Sequence, residues 1–249
     1  MGVEDERRRL GGAFAEGGAA YARLRPSYPR EAVAWMIAEV PPGVVADVGA
    51  GTGKLTRLLV DLERDVVAVE PSTDMAMQLR EGLPAVDVRV GSGESTGLDD
   101  ASAAAVCYGQ AWHWVEPGQG TTEAARVLRP GGVLGLVWNY MDTGDSRVDA
   151  VNQAMHVLDP GVLDKSESAG DVGAPFGHHE NREFRWAWSM TTSDLAELVT
   201  TRSYYLARPE PERAEIRAAV TAAVEQHFGP AGANVELPQV TSVHRFLRP

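Results

Sequence analysis

Asp47, Gly49, Gly51 and Gly53 alternate along DVGAGTGKLT, residues 47–56, between an apolar run and a helical one. Glycines so placed take positive φ at little cost and let a ligand approach the main chain, and the helix start behind them leaves N–H groups pointing outward. The chemistry this suits is the holding of a nucleotide-like cofactor. A phosphate-cradling P-loop fails, because Val48 stands where its first glycine belongs and Leu55 where its hydroxyl belongs. A dinucleotide fingerprint fits imperfectly, since GxGxG is offered with no further glycine. A glycine-rich turn without a ligand is the remaining alternative. Glu70 ends the next apolar run at about the twenty-residue distance of ribose-binding acids. His113, between Trp112 and Trp114, has the residue type of a general base working near neutrality. A structural histidine bonded to backbone is the competing reading. The two tryptophans serve either as packing or as the face for a flat or cationic group.

These residues require particular elements beneath them. Strands are expected at Val44–Val48, Val66–Val69, Val86–Val90, Ala103–Tyr108 and Val133–Asn139, with helices at Lys54–Val60, after Pro71 and at Gln119–Leu128. Such alternation argues an α/β fold with a parallel sheet covered on both faces and ligands beyond the strands' carboxyl ends. Asp47, Glu70, Gly93, Tyr108 and Asn139 all fall at such ends. The Gly-, Ser- and Asp-rich stretch Leu158–Arg182 is the least regular and reads as a loop over the pocket. Within it His178-His179-Glu180 reads as a polar loop and not a metal site, for adjacent histidines diverge and no spaced third ligand follows.

Composition narrows the partners. A formal net charge of -12 argues against nucleic acid, whose binding depends on Lys and Arg neutralising phosphates. No apolar run is long enough to span a bilayer, and the amino-terminal Glu4-Asp5-Glu6-Arg7-Arg8-Arg9 is no export signal, so a cytoplasmic protein without a membrane partner is expected. The single cysteine, Cys107, lies in an expected buried strand and reads as a small core residue.

Four segments together carry a family likeness. The D-x-G-x-G-x-G turn, Glu70-Pro71-Ser72 with Met75, Gly91-Ser92-Gly93-Glu94, and Gln110-Ala111-Trp112-His113-Trp114 followed by Ala125-Arg126-Val127-Leu128-Arg129-Pro130-Gly131-Gly132 and a strand ending Trp138-Asn139 are found in this order. In this the chain resembles class I S-adenosylmethionine-dependent methyltransferases, in the branch of the ubiquinone/menaquinone-type and trans-aconitate-type small-molecule enzymes (methyltransferase type 11-like). The likeness extends to Tyr21–Pro29 and Val235–Pro238, and is weak from Met141 to Arg182. It implies a Rossmann-like three-layer sandwich with a seven-stranded, mostly parallel sheet, Phe184–Trp188 as sixth strand and an antiparallel last strand near Val240–Phe246. One domain over 1–249 is expected: lid helices over about 1–40, a cofactor-binding core over 41–140, an insert over 141–182, and closing strands and helices over 183–249.

The resemblance also implies roles. S-adenosyl-L-methionine would meet Asp47 through its amino acid end, and Gly49, Ala50, Gly51 and Gly53 through backbone. Glu70 would take both ribose hydroxyls, with Pro71 and Met75 beside the adenine. Met75 read alone is more often a core residue, and only with Glu70 in register are the two readings even. The backbone of Gly93 would hold the adenine edge. Many relatives carry Asp where this chain has Ser92, so the partner of the adenine amino group is either Ser92 or Glu94, unless both are ordinary turn residues. Tyr108 and Gln110 complete the cofactor set, and Tyr21 closes from the lid or is a packing aromatic. Trp112, Trp114 and Tyr140 would line the acceptor's space and His113 would be the base, with no metal. The expected reaction is methyl transfer to oxygen, nitrogen or carbon of a small molecule. The alternative is a protein that binds the cofactor for a cyclisation or rearrangement, or as a ligand sensor. Neither the acceptor nor the oligomeric state is legible.

Overall fold

The short β-branched runs form strands because both of their faces are covered: Val45–Val48 (β1) and Val66–Val69 (β2) are buried at every position. In the computed structural model, which describes residues 24–158 and 172–249, the first described helix is Arg30–Met36 (α1). After β1 come Lys54–Asp61 (α2), β2, Thr73–Gly82 (α3), Asp87–Arg89 (β3), Ala103–Gly109 (β4), a 3-10 turn at Trp112–Trp114, Pro117–Val127 (α4) and Leu128–Met141 (β5). There follow Ser146–Met155 (α5), His178–Thr191 (β6), Thr192–Glu197 (α6), a 3-10 turn at Leu198–Thr201, Ser203–Leu206 (α7), Glu210–Phe228 (α8) and Asn234–Leu247 (β7).

The seven strands form one sheet in the order β3-β2-β1-β4-β5-β7-β6. β1 lies parallel to β2 and β4, with Asp47 opposite Ala68 on one side and Cys107 on the other. β3 and β5 extend the parallel set outward. The last strand is antiparallel: Gly131 N–H donates to Arg248 O and Arg248 N–H to Gly132 O, while Asp142 N–H donates to Pro238 O. The mostly parallel α/β sandwich expected from the alternation is therefore present, with its crossover between β1 and β4.

The chain divides into two compact units. The described part of the first comprises Ser27–Asn139, 172–184 and Thr241–Pro249. One core there joins Met36, Val45, Leu59, Cys107 and Val137, and Cys107 is a buried free thiol as expected. A second joins Ala68, Ala76, Leu79 and Val88 beneath α3. The second unit, described over 24–26, 140–158 and Arg185–Val240, has its own core of Leu24, Val151, Leu195, Val220 and Leu237. Arg25 ties its beginning down by donating to Thr201 Oγ1 and Thr201 O.

Two expectations of element extent are corrected. β5 starts at Leu128, before the Arg-Pro-Gly-Gly turn signal, because the terminal strand supplies Gly131 and Gly132 with backbone partners. β6 starts at His178, so His178-His179-Glu180 is strand and not polar loop. The reason is cross-strand: the His179 ring lies parallel to Phe246 of β7 at 4.3 Å and its Nε2 is 3.0 Å from His244 Nδ1. Among the described residues no group of three His, Cys, Asp or Glu is placed to hold a metal ion, and no helix is long and apolar enough to cross a membrane.

The loop after β3 is pinned from α4. Glu123 Oε1 accepts from both the N–H (2.8 Å) and the hydroxyl (2.6 Å) of Thr96, and Arg126 binds both Glu123 oxygens. The Arg126 bond, reinforced by Thr96, holds the Glu123 carboxyl down to about 2. Its folded value is below its unfolded one, so this stability is present above about pH 4.5 and is lost as pH falls toward 2. Glu123→Ala strands the Thr96 donors and is expected to cost about 2 to 3 kcal/mol in denaturant unfolding near neutrality. A loss below about 0.5 kcal/mol would show that the clamp carries no load.

Candidate functional site

Asp47 is a carboxylate inside the sheet, 1% exposed at the centre of β1. Its Oδ2 accepts from Thr56 Oγ1 at 2.6 Å, and its Oδ1 is buried with no partner among the described residues. Burial pushes its carboxyl up to about 7; the Thr56 bond opposes this and the nearby Glu70 charge adds to it. Thr56 lies within the glycine stretch, nine residues on, yet the sequence reading gave it no role.

Between β1 and α2 the glycines take the left-handed conformation the turn demands, with φ of +70° at Gly49, +57° at Gly51 and +88° at Gly53. Gly49 and Ala50 N–H both turn back to Val69 O. Glu70, immediately after β2, is buried and holds the turn from the side: Oε2 accepts from Gly51 N–H at 2.7 Å and Oε1 from Ser72 N–H at 2.9 Å. Burial raises its carboxyl, against the pull of these two N–H groups. Ser72 caps α3 by accepting from Met75 N–H, Pro71 is exposed beside it and Met75 is buried.

The three glycines differ in what surrounds them. A Cβ on Gly49 would stand 2.6 Å from Ala111 Cβ and one on Gly53 3.1 Å from Leu79 Cγ, whereas one on Gly51 would meet only Met75 Sδ at 4.0 Å. Gly49 and Gly53 serve close packing; Gly51 borders open space. Gly49→Ala is thus expected to lower the melting temperature clearly. Gly51→Ala should cost only the left-handed strain of about 1 to 2 kcal/mol yet block a ligand. Thermal melts and cofactor titrations of both variants check this, and equal stability losses would contradict it.

The loop after β3 is shaped by its own side chains. Gly93 is buried, and a Cβ there would be 2.4 Å from Val115 Cγ2. Ser92 Oγ accepts from Glu94 N–H, Glu94 Oε1 accepts from Glu116 N–H at 2.9 Å, and Tyr108 O–H donates to Gly93 O. Ser92 and Glu94 therefore both brace the turn. Tyr108 is core, and burial pushes its phenol well above the usual range. Trp112, 4% exposed, packs edge-on against it at 4.9 Å.

At the carboxyl end of β4, Gln110 has φ +54°, unusual for a residue with a side chain. Its N–H donates to Val137 O and its Nε2 to Asn139 O, while Oε1 is buried with no partner among the described residues. Two costs gathered at one residue are typical of functional positions. Asn139 is bonded at both ends of its amide: Nδ2 donates to Ser27 O and Oδ1 accepts from Thr241 Oγ1. His113 is half-buried, with its Nδ1 accepting from Trp138 Nε1 at 3.3 Å and its ring 4.6 Å from that of half-buried Trp114. Tyr140 is half-buried and belongs to the second unit. Tyr21 lies outside the described residues.

Comparison with known proteins agrees with this arrangement. A methyltransferase domain family matches residues 46–136, from the strand that carries Asp47 to the strand of Trp138. The chain is 40% identical over 240 residues to an uncharacterized methyltransferase of Mycobacterium bovis, covering 94% of this chain and 95% of that one. An uncharacterized methyltransferase of Schizosaccharomyces pombe is 30% identical over 215 residues, 84% and 86% of the two chains. A solved structure, assigned as a type II methyltransferase from Anaeromyxobacter dehalogenans, superposes with a TM-score of 0.69 at 25% identity, covering 90% of this chain and 97% of that one. The glycine turn with its buried acid, the ribose-distance carboxylate and these relatives lead to one assignment: the chain belongs to the class I S-adenosylmethionine-dependent methyltransferases.

Proposed function

We propose that this methyltransferase alkylates a small molecule at oxygen, nitrogen or carbon, with the cofactor's amino acid end drawn to Asp47. The observation that carries this reading is the unpartnered Asp47 Oδ1, a buried anionic acceptor beside a glycine turn with open space at Gly51. Such a group is satisfied by a cation such as an α-ammonium and would repel a pyrophosphate. Glu70 has given one lone pair per oxygen to Gly51 and Ser72, and a carboxylate has about four such sites, so it retains acceptors for two ribose hydroxyls. Gly49, Ala50 and Gly53 would supply backbone, Pro71 and Met75 apolar contact to the adenine, and Ser92, Gly93 and Glu94 its polar edge. Tyr108, Gln110 and Tyr21 complete the proposed cofactor set; Tyr108 would contribute through backbone, because its side chain is core.

Bound there, the cofactor would supply an electrophilic sulfonium methyl to the acceptor's lone pair, its carbon–sulfur bond breaking to leave S-adenosylhomocysteine. The protein's part is alignment and exclusion of water. Oriented reactants gain roughly 7 to 11 kcal/mol, which braced groups such as Asn139, bonded at both ends of its amide, and the clamped Glu94 loop are suited to deliver. Trp112 and Trp114 would bound the acceptor's space. Strong acidity supports a small acceptor over a polyanion.

Incubation of the purified protein with methyl-labelled cofactor and a low-molecular-weight metabolite pool tests the proposal. Label entering a small molecule only when protein is present supports it. Label confined to macromolecules, or a product that forms without label, rejects it.

A further inference from the structure

Gln110, just past the end of β4, has a side-chain amide that is fixed at one end and idle at the other. Its Nε2 donates to Asn139 O at 3.1 Å, and its Oε1 is buried with no partner among the described residues. The amide cannot turn over to relieve this oxygen, because that would set Oε1 against the Asn139 carbonyl, acceptor against acceptor. The backbone offers no escape either: Gln110 N–H is bonded to Val137 O, with the residue held at φ +54°. A buried carbonyl without a donor and a left-handed backbone at a residue with a side chain both cost free energy, and among the described residues no contact of Oε1 offsets them. Both bonds lead to β5, which flanks β4 on the side opposite β1 and β2, whose ends carry Asp47 and Glu70. Gln110 as a whole is half-buried, and the turn Trp112–Trp114, which would bound the acceptor's space, begins two residues on.

We propose that Gln110 Oε1 selects the methyl acceptor: it receives an N–H from an uncharged primary or secondary amine and so turns that nitrogen's lone pair toward the sulfonium methyl. This rests on the methyl-transfer reading and narrows it to nitrogen. The place of Gln110 in the cofactor set then falls to its main chain. An amide oxygen accepts a hydrogen bond but takes no proton near neutrality, so it cannot serve an alcohol, which must lose its proton as the new bond forms. An amine with an N–H needs no base during transfer. Its lone pair forms the nitrogen–carbon bond, the carbon–sulfur bond breaks with its electron pair left on sulfur, and the product departs as an ammonium ion that gives its proton to water. Positive charge gathers on the nitrogen in the transition state, which strengthens the bond from its N–H to Oε1 more there than in the ground state. A formal net charge of -12 also favours the approach of amines, which are cations in solution.

Incubation of the purified protein with methyl-13C-labelled S-adenosylmethionine and a low-molecular-weight metabolite pool, followed by 13C NMR of the products, reads the atom that receives the methyl. The expected result is an N-methyl on a nitrogen that carried hydrogen, formed about a hundredfold more slowly by Gln110→Met. Calorimetry with S-adenosylhomocysteine gives a readout independent of turnover: its affinity for Gln110→Met should stay within about twofold of the wild type's, because the side chain serves the acceptor. A methyl on oxygen, carbon or sulfur, a methyl on a nitrogen that carried no hydrogen, undiminished turnover in the variant, or a variant that loses the cofactor product overturns the proposal. If Gln110→Met does not fold, the atom methylated by the wild type decides alone. Labelled product on the wrong atom sinks this inference and leaves the methyl-transfer reading standing, whereas no labelled small molecule at all sinks both.

Discussion

Asp47→Asn is expected to weaken S-adenosylmethionine binding by about ten- to a hundredfold, the 1.5 to 3 kcal/mol of a charged hydrogen bond, while the empty protein loses none of its thermal stability. The substitution keeps the acceptor for Thr56 and exchanges a buried, unpaired anion for a neutral amide. The pH dependence follows from the same burial. Asp47 is pushed from 3.8 up to about 7 in the folded chain. Between those values the folded protein keeps a proton that the unfolded chain has released, so this carboxylate's contribution makes the empty protein less stable as pH rises from about 4 to about 7 and constant above. Asp47→Asn removes that decline, and its melting temperature at about pH 8 should equal or exceed the wild type's. An ammonium placed beside the carboxylate favours the ionised form, so binding below about pH 7 expels a proton and affinity rises with pH. Calorimetry in buffers of different ionisation enthalpy should find this proton release in the wild type and not in the variant. A melting temperature lowered by several degrees with affinity intact would make Asp47 a structural residue only.

Glu70→Gln should behave differently, because Glu70 builds the turn as well as belonging to the proposed cofactor site. Each of its oxygens already accepts a backbone N–H, from Gly51 and from Ser72. An amide can accept only one of these and must set its own N–H₂ against the other. The expected outcome is a loss of about 2 to 4 kcal/mol in unfolding together with a fall in cofactor affinity of about a hundredfold. Chemical denaturation and calorimetry measure the two effects independently. The contrast with Asp47→Asn is diagnostic: one acid has a buried oxygen without a partner among the described residues, and the other braces the turn with both of its oxygens. Glu70→Gln with unchanged stability would mean that the turn does not depend on it.

Much of this fold was legible because its strands announce themselves locally. β1, β2 and β4 are β-branched or small-residue runs buried on both faces, and each ends where the sequence pattern ends, within a residue. The glycine turn was legible because positive φ at three alternating positions leaves almost no choice of residue type. What stayed hidden depends on partners far along the chain. The early start of β5 follows from pairing with Arg248, and the strand character of His178-His179-Glu180 follows from Phe246 and His244. Gln110 gives no local sign of its left-handed backbone, since glutamine has no special preference for it. His113 looks like a base by type, and nothing local in the sequence signals its contact with an indole 25 residues away. That the side chains of Tyr108 and Trp112 pack on each other with little exposure also has no local sign, since one lies in a strand and the other in the turn beyond it.

The turn from Asp47 to Gly53, with Glu70, is the proposed receiver of S-adenosylmethionine. Isothermal titration of the purified protein with S-adenosylhomocysteine, and in parallel with NAD, tests it most directly. The expected result is saturable binding of S-adenosylhomocysteine that is weakened by Asp47→Asn and abolished by Asp47→Ala combined with Glu70→Ala, with no binding of NAD. Absence of S-adenosylhomocysteine binding, or binding left unchanged in the double variant, would contradict it.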